Sequence, residues 1–162
     1  MLSELGDLIE AASLAPGKSG LLRAVIRAAN EAVEPEEASR WLSGVEPAQY
    51  DTDARIMAAE FLSDQGEVSA AIRWAAGEDA RLCVARARVL HEAGRTGEAA
   101  EAYSAGVTAD PALRDEDLDA ALALGLLASL AALWRDVTRR LAAEGALRQQ
   151  MAFRTAMENS MV

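Results

Sequence analysis

From residue 19 to residue 111 apolar side chains recur three and four positions apart, and glycine or proline cuts the recurrence at intervals. That period belongs to amphipathic helices. Leu21, Leu22, Val25, Ile26 and Ala29 make one such stripe, opened by Ser19 as the expected N-cap and closing near Val33. A preceding helix is predicted from about Leu2 to Leu14, stopped by Pro16-Gly17. Pro35 stands where a first-turn proline belongs, Glu36 and Glu37 follow at the positive dipole end, and Gly44 closes that short helix. Asp51 or Thr52 then starts a helix reaching Gln65, Gly66 ends it, and the next runs to Gly77. Further helices are predicted over about 78–93 and 96–108, split by Gly94 and followed by Asp110-Pro111. One more begins near Asp115, with one or two others to the C-terminus. No run of β-branched residues alternates with period two, so no strand is predicted.

One phrase occurs twice within this pattern. Ala38-Ser39-Arg40-Trp41-Leu42-Ser43-Gly44 and Ala71-Ile72-Arg73-Trp74-Ala75-Ala76-Gly77 both read A-x-R-W-x-x-G, with starts at 38 and 71, an offset of 33. The chain has only three tryptophans, so two in one frame mark a repeat. A period near that length is typical of stacked helix pairs, each unable to bury its apolar face alone. Both rings are expected on the second helices of consecutive pairs, packed between units.

The stretch from Leu82 to Pro111 resembles a tetratricopeptide repeat. Ala87, Leu90, Gly94, Ala99, Tyr103, Gly106 and Pro111 fall on that family's small, large, turn-glycine, small, aromatic, small and terminal-proline positions, in order. Arg95-Thr96-Gly97-Glu98-Ala99 is similar to its usual entry into a second helix. The unit before keeps Ala59, Leu62, Gly66 and Ala71 but is shorter, with 28 residues from Gly66 to Gly94 against a family period of about 34, so its second helix must be clipped. The first unit keeps Ala38 and has Val33 where the turn glycine belongs. The resemblance covers about residues 20–111 and implies an all-α solenoid of antiparallel helix pairs, with residues 1–19 leading in and a C-terminal helical segment, 112–162, capping it within one domain.

The resemblance also implies that the first helices of the pairs line a concave groove for a partner segment. Its groove positions fall on Arg23, Arg27, Asn30 and Glu31, then Ile56, Glu60, Ser63 and Asp64, then Val84, Arg88, His91 and Glu92. These mix charge signs and depart from the Lys/Asn set with which some members clamp a C-terminal carboxylate. Arg27 and Arg88 are expected to meet a carboxylate-bearing or acidic segment.

Composition narrows the function classes. Apolar residues are 51% but aromatics 4%, so the apolar content is chiefly alanine and leucine, which favour helix. A net charge of −10 excludes the counterion-releasing contacts of nucleic-acid binding and favours solubility. Cys83 stands alone, so no internal disulfide forms, and the acidic Glu4 and Asp7 do not make a basic signal-peptide leader. A cytoplasmic protein is expected.

Three stretches approach known chemistry and stop short. Residues 12–19 (Ala12 through Gly17-Lys18-Ser19) fit a relaxed phosphate loop, but a helix is predicted where a strand must precede it and Pro16 removes an N–H. Asp115, Asp117 and Asp119 begin like a calcium loop, yet Ala120 and Leu126 occupy the Gly and Glu positions. His91 and Cys83 are too few for a zinc site. No metal, cofactor or catalytic group is therefore expected. The chain reads as a non-catalytic interaction scaffold, with two alternatives: the N-terminal recruiting module of a larger ATPase or secretion machine, and a nucleotide-binding enzyme using the degenerate loop.

Residues 120–134 carry no charge, and Leu122, Leu124, Leu126, Leu127, Leu130, Leu133 and Trp134 are distributed around the helix. Fifteen residues fall short of the roughly 20 of a transmembrane span, so no span is expected. Either this is the buried central helix of a C-terminal bundle, or Leu126, Leu130 and Trp134 form a partner or homodimer surface. Leu147, Met151, Phe153, Met157 and Met161 continue an amphipathic, Met-rich stripe usable as core or as docking surface.

Overall fold

The structure is a computed structural model that describes residues 4–32 and 35–160, with side chains omitted at 153 and 155–160. Leu2, Val33 and Met161, and the side chains of Phe153 and Met157, lie outside the described residues. Among those described, every regular element is helical: α1 (Glu4–Leu14), α2 (Ser19–Glu31), α3 (Glu36–Gly44), α4 (Thr52–Asp64), α5 (Val68–Trp74), α6 (Ala80–Glu92), α7 (Thr96–Ala109) and α8 (Glu116–Ser160). Short 3₁₀ turns at Pro47–Gln49 and Pro111–Leu113 precede α4 and α8. The chain forms two compact units, residues 1–122 and residues 123–162.

In the first unit the hairpins α4/α5 and α6/α7 close with one and the same turn. Gly66 has φ +78° and Gly94 φ +73°, a region that a side chain disfavours. Around them Gly66 N donates to Ser63 O and Glu67 N to Leu62 O, and Gly94 N donates to His91 O and Arg95 N to Leu90 O. This paired closure satisfies carbonyls that the helix end leaves open. The clipped second helix is α5, seven residues long.

Asp51, Asp79 and Asp115 cap α4, α6 and α8, accepting from the N–H groups of Ala54, of Arg81 and Leu82, and of Leu118. Ser19 does not act as the N-cap of α2. Lys18 occupies that position with no side-chain bond, and the Ser19 hydroxyl accepts from Asp51 N at 3.1 Å, tying the start of α2 to the start of α4.

The core falls into two clusters. Leu22, Val25, Ile26, Leu42, Ala58, Leu62 and Trp74 belong to the larger, which runs from α1 to α5 and reaches α6 at Ala85 and Val89. Val84, Ala87, Leu90, Ala99, Tyr103, Leu118 and Leu122 make the second, between α6, α7 and the first turns of α8. Small residues set that spacing: a Cβ on Gly106 would lie 2.8 Å from Ala80 O and 2.8 Å from Val84 Cγ2. The Tyr103 hydroxyl donates to Asp115 O and accepts from Asp115 N, fixing where α8 begins.

The second unit differs from expectation. Residues 123–160 continue one helix without a break, where one or two further helices were predicted. Within this unit the helix packs on no second helix, and Leu124, Leu126, Leu127, Leu130, Leu133 and Trp134 are all exposed. By length and composition alone, Glu116–Ala152 is apolar enough to cross a membrane.

Candidate interaction site

The duplicated phrase makes the joints between neighbouring helix pairs. Trp74 is fully buried on α5, its indole Nε1 donates to Leu42 O at 3.1 Å, and its ring lies 5.6 Å from Tyr50 at 45°. Arg73 donates to Leu42 O and Ser43 O, so both residues of the Arg-Trp pair bind the last turn of α3. Trp41 repeats the move one step earlier: it is half-buried on α3 and donates to Ser13 Oγ in the last turn of α1. In α7 the frame continues from Ala99 with Glu101-Ala102 in place of Arg-Trp. There Arg55 of α4 donates instead to Trp74 O and Ala76 O, covering the end of α5.

Polar contacts also fix how the first helices lie. Asp53 pairs with Arg81 near the starts of α4 and α6, and Ser63 donates to Glu92 at their ends, 2.7 Å. Start meets start and end meets end, so α4 and α6 run parallel. Arg23 of α2 pairs with Asp51 before α4 at 2.9 Å, and Arg88 of α6 pairs with Asp115 before α8 at 3.0 Å.

These contacts decide what the expected groove residues can do. Val84 is buried against Gly106 and Ile56 packs on the core, so neither presents a groove surface. Arg23, Ser63 and Arg88 hold neighbouring units together. Arg88, expected to meet an acidic partner segment, is exposed and pairs with Asp115 within the chain. Arg27, Asn30, Glu60 and Asp64 are exposed, whereas His91 is half-buried with Nδ1 lacking a hydrogen-bond partner. Three surface depressions lie elsewhere: on the outer face of α7, between α5, α6 and α7, and beside α3.

What remains on this face is acidic. The last residues of α2, α4 and α6 are Glu31, Asp64 and Glu92, all exposed. Each stands at the negative end of its own helix dipole, where an acid is disfavoured by about 0.3–1 kcal/mol. Neither α2 nor α4 has a basic residue in its last turn to offset it.

Two cap aspartates are shifted in pKa. The Asp51 carboxyl is held below its ordinary 3.8 by the Ala54 N–H, with help from Ser19 and the Arg23 guanidinium. Asp115 is likewise lowered, first by the Leu118 N–H and then by Arg88. The acids at 115, 117 and 119 are those that the dipole favours at a helix start, and Asp115 both caps α8 and pairs with Arg88. Aspartate recurs in the same way just before α4 and α6.

The residues of the relaxed phosphate loop join two helices. Gly17 packs on Gln49, and the Ser19 hydroxyl is engaged by Asp51 N. Among the described residues no group of three or more His, Cys, Asp or Glu is placed to hold a metal ion. Cys83 is buried, with Sγ 3.6 Å from Gly77 O. No family model matches this chain, and no curated protein or solved structure matches it.

Proposed function

We propose that the first unit is a tetratricopeptide-like stack of helix pairs serving as a non-catalytic interaction module, and that the ends of its first helices take a basic partner segment. The stacking reading is supported by the matched glycine turns, the parallel first helices and the indole joints between pairs. The partner reading rests on one observation, that α2, α4 and α6 each end on an exposed acid opposed to the local dipole. Glu31 and Asp64 bear that cost with no basic residue in their last turns, while Glu92 accepts from the Ser63 hydroxyl; a local cost recurring in this way is characteristic of a functional surface.

Packed helices lie about 8–10 Å apart. An extended segment advances about 3.3 Å per residue, so lysine or arginine at every third position matches the acidic ends. The test titrates a fluorescent peptide, nine residues long with lysine at every third position, and its glutamate counterpart. The lysine peptide should bind, more tightly at low salt, and the triple variant Glu31→Gln, Asp64→Asn, Glu92→Gln should lose that binding while keeping its helical circular dichroism. Equal binding of both peptides, or undiminished binding by the triple variant, would refute the assignment.

A further inference from the structure

The second unit carries an apolar face that nothing among the described residues covers. On a helix turning about 100° per residue, Leu126, Leu127, Leu130, Leu133, Trp134, Val137 and Leu141 all fall within about 60° of Leu130. Their exposures run from 39% at Leu126 to 72% at Trp134. Seven large apolar side chains exposed side by side make a continuous patch of the kind that marks an interaction surface. Ala128, Ser129, Ala131 and Ala132 occupy the other side. Glu144 and Arg148 interrupt the stripe beyond Leu141.

The spacing of this face identifies its occupant. Leu127 aside, positions 126, 130, 133, 134, 137 and 141 are separated by 4, 3, 1, 3 and 4, the same in either direction. A helix reversed about the point between 133 and 134 therefore sets Leu126 against Leu141 of a second copy, Leu130 against Val137 and Leu133 against Trp134. In that register Arg135 meets Ala132, Asp136 meets Ala131 and Arg139 meets Ala128, so no like charges oppose each other. Leu127 meets Arg140, whose methylene stem can lie along it. We infer that residues 126–141 of α8 pair antiparallel with the same residues of a second copy of this chain.

A bilayer fits the face less well. Arg135, Asp136, Arg139 and Arg140 fall inside its length, and the charge-free run of fifteen residues spans about 22 Å against a hydrocarbon core of about 30 Å.

The test is sedimentation equilibrium of the full chain across micromolar concentrations, beside Leu130→Glu alone and Leu130→Glu combined with Val137→Lys. Each substituted residue is solvent-exposed in the single chain, and circular dichroism checks that helix content is kept. The wild type should dimerise, the single variant should dissociate at least tenfold more readily, and the double variant should recover, because the new acid and base face each other only in the antiparallel register. A wild type that stays monomeric overturns the proposal. So does a double variant no better than the single, which is the parallel result. Co-sedimentation of a monomer with phosphatidylcholine–phosphatidylglycerol vesicles would assign the face to lipid instead.

Discussion

Replacing Trp74 by alanine should be among the most damaging single changes in the first unit. The side chain is fully buried, packs on Tyr50, and spans from α5 to the last turn of α3. Truncating a buried tryptophan costs about 3–5 kcal/mol. A unit of this size has about 6–18 kcal/mol in total, at about 0.05–0.15 per residue, so about a sixth or more of the stability is at stake. At about 3–5 °C per kcal/mol the melting temperature should fall by roughly 10–20 °C.

Trp74→Phe separates the components of that loss. It keeps most of the apolar contact and removes the indole bond, worth about 0.5–1.5 kcal/mol, while Leu42 O retains the Arg73 guanidinium at 3.3 Å. With the smaller ring included, about 1–2 kcal/mol is expected. Trp41→Phe should stay below about 1 kcal/mol, because that indole is half-buried and its acceptor Ser13 is exposed. Urea denaturation followed by far-ultraviolet circular dichroism gives all three values. If Trp74→Phe were no worse than Trp41→Phe, or if Trp74→Phe matched Trp74→Ala, the reasoning from burial would be wrong.

Other substitutions probe the helix crossings and the caps. Gly106→Ala should destabilise by about 1–3 kcal/mol because its Cβ meets backbone at Ala80 O, whereas Gly97→Ala, with open space around it, should gain up to about 1 kcal/mol in the same melting experiment. Ala99→Leu should lower the melting temperature by several degrees and Ala100→Leu by less, since Ala99 is fully buried and Ala100 lies at a surface depression. The Asp51 and Asp115 carboxyls titrate below 3.8 in the folded chain, so their contribution is present above that pH and is lost as pH falls through the folded values. The double variant Asp51→Asn, Asp115→Asn should therefore be less stable than wild type at pH 7, and the gap should narrow in thermal melts as pH falls below 3.8; a gap that does not change with pH would contradict the assignment.

Local signals carried most of the helix boundaries. Glycine with positive φ at 66 and 94, proline at 35 and 111, and aspartate at 51 announce ends and starts through backbone chemistry a few residues wide. The phrase around Trp41 and Trp74 marked joints between units, but its acceptors, Ser13 and Leu42 O, lie 28 and 32 residues away, beyond any local pattern. The groove residues were harder for the same reason. Nothing near Arg88 in sequence shows that Asp115 occupies it, and Val84 looks like any exposed helical valine until Gly106 is seen against it. For the C-terminal helix the sequence left two alternatives, buried centre or docking surface, because an apolar stripe specifies that something covers it and not what does. Its palindromic spacing was present in the sequence and becomes meaningful only once the face is known to be exposed.

The central claim, that Trp74 joins the α4/α5 pair to the preceding pair by reaching back to the last turn of α3, is tested most directly by amide and indole hydrogen exchange with two-dimensional nuclear magnetic resonance. The Trp74 indole N–H should exchange orders of magnitude more slowly than that of Trp41 and show a nuclear Overhauser contact to the backbone of Leu42 or Ser43. A Trp74 indole that exchanges as fast as Trp41's, with no contact to α3, would contradict the account.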